Sequence, residues 1–317
     1  MEIILHLGAH RSASTSFQYY LRKNGARLAA ASIGAWGPQQ TRKGLMEGVL
    51  ARPGMLSPAE QAARARGRIA LALADAEASG IRQLIISDEN MIGTPRGTLR
   101  DARLYPAIGE RMARYAAAFG GRITRIALSV RAQDAWWASC IAYGVARSAQ
   151  VPPSQRLARI AADPRGWRDV ITDLACALPE AQLIVMPHET FASRPEARLK
   201  VLTGLQDVPK AHAREWLNRA PDLPALRNLV FERGGHPAIL PQGEGMWQPF
   251  GPEERAALRE AYADDLYWLR AGADGLAILT EEPGRDQVGS TPLFQADMRG
   301  RNNDQEGARR LAQAGRG

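Results

Sequence analysis

The sequence predicts an α/β protein in three layers: a central, mostly parallel sheet flanked by helices on both faces. Three observations carry this. Short apolar runs alternate with helical patterns along roughly the first 205 residues, the order expected of strands joined by helical crossovers. Those runs are continuously hydrophobic rather than alternating, as in strands covered on both faces. At 317 residues, with 45% hydrophobic and 23% charged residues, the chain is long enough to bury roughly 75% of its unfolded surface.

In chain order, residues 3–7 (IILHL) read as a strand and residues 14–31 as a helix. Ser57-Pro58-Ala59-Glu60 is a capping box with proline at the first helical position, opening a helix that runs to about residue 79, where Gly80 stops it. Residues 83–87 (QLIIS) form the next strand, and residues 105–119 a helix closed by Gly120-Gly121. A strand over 126–130 leads into a helix to about residue 146, with further helical stretches at 154–162 and 166–177. Residues 182–186 (QLIVM) form a strand and 196–204 a helix, which makes four or five strands in all. Beyond residue 210 the strand signal fades. Residues 214–219 and 252–271 read as helical, while 234–251, rich in Gly, Pro and Gln, reads as a long loop. The expected organisation is one domain over residues 1–280 and a polar, mobile tail over 281–317, which holds few apolar residues.

Composition narrows the function classes. The net charge of +8 arises from 41 Lys+Arg against 33 Asp+Glu. Six acids and six bases in residues 281–317 cancel, so the whole excess lies before them. Such a field favours anionic ligands. No zinc-finger, RRM or helix-turn-helix signature and no dense lysine stripe supports nucleic acid as partner. Two cysteines, Cys140 and Cys176, make neither a disulfide framework nor a metal pattern, and the five histidines are scattered, so no metal is expected. With neither a positively charged leader nor a long apolar run, the chain reads as soluble and cytoplasmic, without an integral membrane segment.

The most informative stretch is Glu2 to Gln18, EIILHLGAHRSASTSFQ. A buried strand meets Gly8, then a cation and a run of hydroxyls, then a helical pattern; a strand–turn–helix of this kind turns free backbone N–H groups toward an anion. If Gly8 opened a Walker A loop, the positions due Gly, Lys and Ser/Thr hold Ala13, Ser14 and Thr15. The lysine that grips the terminal phosphates of ATP is missing, and the cation stands earlier, at Arg11. The alternative is a loop whose Ser12 and Ser14 merely cap the helix.

Arg11-Ser12-Ala13-Ser14-Thr15 resembles the opening loop of sulfotransferases, a cation followed by small and hydroxyl residues. The resemblance implies a P-loop-type fold in which Arg11, Ser12, Ala13, Ser14, Thr15 and Ser16 bind the 5′-phosphosulfate of PAPS (3′-phosphoadenosine 5′-phosphosulfate), with no metal. Arginine stands where the family usually has lysine, and Ala13 where it usually has glycine. Arginine keeps the charge and adds a fork of donors, and alanine suits a helical backbone. A second likeness follows the strand 125–130 (RIALSV): Arg131 at its end and Ser139 eight residues on resemble the family's 3′-phosphate site. The chemistry is sound unaided, since arginine offers a bidentate fork and serine one further donor. The resemblance covers residues 2–205 in motif order.

For the base, ligands of open α/β sheets bind at the carboxyl edges of the strands. Ser87-Asp88-Glu89 ends the 83–87 strand and resembles the Ser-x-Glu of bacterial and glycan-type sulfotransferases, which implies Glu89 as base, with Asp88 a weaker candidate. His10, inside the loop, is a second candidate base. Arg11 is the candidate to stabilise the bridging oxygen as charge develops there. Trp136, Trp137 and His6 read as structural, while His188 and Glu189, which end the 182–186 strand, lie near the carboxyl edge and read equally as structural. The expected activity is sulfuryl transfer from PAPS to a hydroxyl or amine on a small-molecule or glycan acceptor; neither the acceptor nor the oligomeric state is legible. Two alternatives stand: a P-loop kinase-like enzyme with an aberrant Walker loop and Asp88 as its metal aspartate, or a non-catalytic nucleotide-binding module.

Overall fold

Six parallel strands form one sheet in the order β2-β3-β1-β4-β5-β6: β1 (Glu2–His6), β2 (Ile33–Trp36), β3 (Gln83–Ser87), β4 (Ile123–Val130), β5 (Gln182–Pro187) and β6 (Ile278–Leu279). The structure, a computed structural model, describes residues 1–281. The expected tail lies, from residue 282 onward, outside the described residues.

The strands alternate strictly between two cores, as a period of two requires. Ile3 and Leu5 of β1, Leu84 and Ile86 of β3, Ile126 and Leu128 of β4, and Leu183 and Val185 of β5 enter one core. Between them Ile4, Ile85, Ala127, Ile184 and Met186 enter the other. On the second face lie α1 (Ser14–Lys23) and α2 (Gly25–Ala30), which contribute Phe17, Tyr20, Leu21 and Leu28. On the first lie α3 (Pro58–Ala78), which contributes Ile69 and Leu73, and α4 (Pro95–Asp101) is the short helix that follows β3. The same face receives α5 (Ile108–Ala118), α6 (Gln133–Val145), α7 (Ser154–Ala162) and α8 (Trp167–Ala177), each through buried apolar residues. Later, α9 (Pro195–Thr203) returns to the α1 side, whereas α10 (Leu223–Glu232) and α11 (Pro252–Arg270) pack with the first core. The architecture is therefore a three-layer α/β fold. Among the described residues no helix is long and apolar enough to cross a membrane.

The differences from expectation have local causes. The helix predicted over 14–31 breaks at Asn24, whose side-chain amide donates to the Tyr20 carbonyl (2.9 Å) and to that of Ala211 (3.1 Å). β2 goes unpredicted because Ile-Gly-Ala-Trp at the sheet edge buries only Ile33 fully. The helix expected over 105–119 starts at Ile108, and residues 214–219 form no helix at all. Instead α10 follows, capped by Asp222, which accepts from the Ala225 N–H at 2.9 Å. Residues 234–251 are irregular apart from one turn of 3₁₀ helix at Pro237–Ile239.

One contact ties the last long helix to the sheet layers. The N-cap of α8 is Gly166, which has no side chain to offer. Asp265 of α11 supplies the missing acceptor, receiving the N–H groups of Trp167 (2.8 Å) and Arg168 (2.9 Å). A Cβ on Gly166 would come within 2.8 Å of the Asp265 carboxylate, so the glycine makes room for it. Burial raises the pKa of this carboxyl, and the two backbone N–H groups pull against that rise. Asp265→Ala leaves two helix donors unmet in a buried place and is expected to cost about 2–3 kcal/mol. Urea unfolding measures it, and a loss below about 0.5 kcal/mol would show that water replaces the carboxylate.

Candidate functional site

Parallel pairing sets the site. His6, the last residue of β1, is level with Ser87 of β3 and with Ala127 of β4. The chain crosses from β3 to β4 over β1, so the loops after these three strands open into one crevice, the usual ligand position in an open α/β sheet. A cavity of 360 Å³ lies there, lined from these loops by His10, Arg11, Ala13, Ser14, Thr15, Glu89, Asn90 and Arg131, with Ser139 and Tyr143 from α6. Arg42, Pro95, His188, residues 216–220 and Met246 complete its walls.

The loop after β1 is tightly built. Gly8 has φ of +32°, and a Cβ there would strike Ser14 Oγ and approach His6 Cε1 at 3.0 Å. Arg11 and Ala13, at φ of +64° and +66°, are both left-handed. Ala13 therefore does not take the helical backbone expected of it; the loop needs a conformation that glycine adopts freely and alanine adopts at a cost of about 1–2 kcal/mol. Ala13 is also the N-cap of α1 and gives the helix no side-chain acceptor. The first N–H groups of α1, in the turn whose Ser14 and Thr15 line the cavity, thus have no side-chain cap, and the first turn holds no acidic residue. Ser14 Oγ is buried and has no partner among the described residues.

The other loop residues divide in role. Ser12 Oγ donates to the Ala9 carbonyl, holding the turn together. Ser16 Oγ accepts the Leu217 N–H at 2.9 Å, pinning residues 216–220 above the cavity. Ser12 and Ser16 do not line the cavity, whereas Ser14 and Thr15 do. Trp136 Nε1 donates to the His10 carbonyl (2.7 Å), and Trp167 Nε1 to that of Arg131 (2.8 Å), so the buried tryptophans hold loop backbone as well as core.

Arg11, Arg131 and Ser139 come together. Arg131 Nη1 donates to the Arg11 carbonyl (2.8 Å), and Arg11 Nε donates to Ser139 Oγ (3.1 Å). The Arg11 guanidinium lies 5.0 Å from the Tyr143 ring centroid, turned toward α6. Burial lowers the pKa of both arginines, and each stays charged. Arg42 and Arg219 add to them, so four arginines and one carboxylate, Glu89, line the cavity.

Under the loop lies a fifth cation. Arg198 of α9 is 1% exposed. Its Nη2 reaches the carbonyls of Ser12 (3.3 Å) and Phe191 (3.4 Å), while Nε and Nη1 have no partner among the described residues. Burial lowers its pKa to about 10, which leaves it charged at neutral pH.

The acidic residues after β3 are unlike one another. Asp88 is buried; it accepts from Arg42 Nη2 (2.6 Å), from Thr41 Oγ1 (2.5 Å) and from the Asn90 N–H (3.0 Å). Those bonds consume its acceptors, and it is not among the cavity-lining residues. Glu89 does line the cavity: Oε1 accepts from Arg42 Nη2 (3.0 Å) and Oε2 from Gln18 Nε2 (2.8 Å), leaving a lone pair on each oxygen. The Arg42 guanidinium is opposed by burial, but the two carboxylates outweigh it and raise its pKa.

His10 is locked. Tyr105 Oη accepts the His10 backbone N–H (2.9 Å) and lies 2.8 Å from Nδ1, while Nε2 faces Asn90 Oδ1 at 3.1 Å. With that carbonyl as partner Nε2 carries the proton, so Nδ1 accepts from the tyrosine hydroxyl. Burial lowers the His10 pKa, and the ring is neutral with its lone pair engaged.

No protein-family model, curated protein or solved structure matches this chain. Of the residues predicted from sequence, Arg11, Ala13, Ser14, Thr15, Glu89, Arg131, Ser139 and His10 line one cavity; Arg42, Asn90, Pro95, Tyr143, Trp216–Ala220 and Met246 line it unpredicted, and His188, expected only near this edge, lines it too. Tertiary packing delivers these, and the only signal in the chain was that His188 closes a strand.

His188 carries a pH consequence. Burial first, then Arg131 and Arg198, push its pKa from 6.5 to about 3. The unfolded chain takes up this proton first, so stability is complete above 6.5 and falls as pH drops toward about 3. His188→Asn is expected to reduce the acid slope of unfolding free energy by up to about one proton, measured from denaturant midpoints across that range. An unchanged slope would mean His188 is protonated in the folded protein.

Proposed function

We propose that the protein is a sulfotransferase that moves a sulfuryl group from PAPS to a hydroxyl or amine acceptor. The observation that carries this is two anion-holding devices of different design facing one cavity. One is the uncapped N-terminus of α1 with the unpartnered, buried Ser14 Oγ. The other is the guanidinium pair of Arg11 and Arg131 with Ser139. A donor with a phosphosulfate at one end and a 3′-phosphate at the other needs two such devices, and a nucleoside diphosphate needs one. The resemblance of Arg11–Thr15 and of Arg131 with Ser139 to the family's two donor sites supports the same reading.

In this reading the phosphosulfate lies on the N–H groups of α1 with Ser14 and Thr15, and the 3′-phosphate on Arg131 and Ser139. The contact of Arg11 with Ser139 favours a role for it between the two anions rather than over the bridging oxygen alone. The acceptor oxygen or nitrogen attacks sulfur and forms a new bond to it. The bond from sulfur to the bridging oxygen breaks, its electron pair stays on the 5′-phosphate of departing PAP, and the acceptor's proton passes to Glu89. The site's main contributions are positioning and charge neutralisation. Glu89 is preferred to His10 as base because its oxygens keep lone pairs at the cavity, whereas His10 spends its lone pair on Tyr105. A Walker-type metal role for Asp88 is disfavoured by its bonds to Arg42 and Thr41.

Calorimetry of PAP against ADP tests the donor. PAP is expected to bind the tighter, and Arg131→Ala to lose about 1.5–3 kcal/mol for PAP while ADP affinity barely changes. Equal affinities for the two nucleotides in the wild type would refute the reading.

The base has its own test. Glu89→Gln keeps the size and an acceptor oxygen for Arg42, its amide NH2 facing Gln18, whose amide can turn to accept, but it takes up no proton. It is expected to bind PAP nearly as the wild type does and to lose turnover by about 10²–10⁴-fold. Turnover near the wild-type rate would remove Glu89 from the chemistry.

A further inference from the structure

A second opening, of 510 Å³, adjoins the polar cavity on the side of the sheet that carries α1 and α2. The two share Thr15 and Leu217 in their walls. Gln18 lines the second opening, and its amide donates to Glu89, which lines the first. The opening is a groove rather than a round pocket. On one side Thr15, Gln18, Tyr19 and Arg22 follow one another along a single face of α1, a span of about 10 Å. On the other side runs the edge strand β2 from Ile33 to Trp36. Gly25 and Ile81 lie at the far end, beside the start of the strands, and Thr15 and Ser87 at the near end, beside the site.

Its chemistry differs from that of the cavity. Leu21, Leu28, Ile33 and Ile81 give it aliphatic walls, with the rings of Tyr19 and Trp36. No carboxylate lines it, and its one charged lining residue is Arg22. A cationic amine has no carboxylate partner in such a groove. The groove's polar side chains, Thr15, Gln18, Gln39, Gln40 and Ser87, come from the start of α1 and the ends of β2 and β3, so a hydroxyl is met at the near end while the stretch along Leu21, Leu28, Ile33 and Ile81 offers none. An uncharged apolar body of about 10 Å fits.

We propose that this groove binds the acceptor, and that the acceptor is an elongated apolar alcohol whose hydroxyl reaches Thr15 and Glu89 while its hydrocarbon body lies between α1 and β2. This rests on the sulfuryl-transfer reading for its chemistry, though not for its binding. In the reaction the terminal hydroxyl oxygen forms the bond to sulfur, the sulfur–oxygen bond to the 5′-phosphate breaks with its electrons on that phosphate, and the hydroxyl proton goes to Glu89. The products are an alkyl sulfate ester and PAP.

A series of 1-alkanols from butanol to octanol, titrated calorimetrically with and without saturating PAP, tests the groove. Each methylene buried is worth about a three- to fourfold gain in affinity, so the dissociation constant is expected to fall by that factor per carbon up to about eight carbons. Two substitutions locate the effect. A Cβ on Gly25 meets no atom within 4 Å, so the backbone there admits a side chain, and Gly25→Trp places a ring at the far end. It is expected to end the gain at shorter chains, while Ala29→Trp, on the exposed face of α2 beside the groove, weakens the longer alkanols at least tenfold. Affinity independent of chain length, or a gradient unchanged in both variants, overturns the proposal. The sulfuryl reading fails separately: if wild-type PAP binding is no tighter than ADP binding while the alkanol gradient persists, the groove stands and the donor assignment does not. If PAP binds as expected and the gradient is absent, the reverse holds.

Discussion

Parallel pairing of β1 with β3 on one side and β4 on the other is the constraint on which the site depends. Because all three strands run the same way, with β1 and β3 ending level and β4 running three residues further, every loop that leaves them opens on one edge of the sheet. The loops supply different chemistry from distant parts of the chain: a left-handed turn into α1, a carboxylate pair after β3, an arginine after β4. Nothing in these loops needs to be long to meet. The tight approach of Gly8 to Ser14 then fixes how closely the start of α1 follows the strand end.

Positive charge on this edge is left uncompensated. Asp88 is the acidic residue best placed to neutralise it, yet it is spent on Arg42 and Thr41. Arg11, Arg131 and Arg219 have no carboxylate within ion-pair distance among the described residues, and Arg198 is sealed beneath the loop in the same condition. Burying a cation without a partner is costly. A site that retains several such groups is electrostatically incomplete until an anion arrives, and an anion with two charged ends completes more of it than an anion with one.

How far the sequence discloses this differs by element. β1, β3, β4 and β5 are legible because they are covered on both faces and so read as unbroken apolar runs. β2 is hidden because an edge strand containing Gly34 and Ala35 needs little burial, and β6 because two residues make no pattern. The loop, Arg131 with Ser139, and Glu89 are legible because each sits next to a strand end in sequence. Arg42, Tyr105 and the segment 216–220 reach the site only through packing, and Arg198, in PEARLKV, looks like any solvent-facing helix arginine. The left-handed backbone at Ala13 is the instructive miss: residue type suggests ordinary helix, and only the turn geometry reveals otherwise.

That turn has a consequence for how the site is prepared. A glycine in place of Ala13 would sample many shapes before binding and forfeit that freedom on contact with a ligand. Alanine, once held left-handed between the packed ring of His10 and the first turn of α1, has few other shapes to visit. The cost of setting the backbone is met during folding rather than at each encounter, which is preorganisation in the thermodynamic sense. The loop behaves as a rigid mould whose affinity reflects fit, with little lost to ordering the backbone.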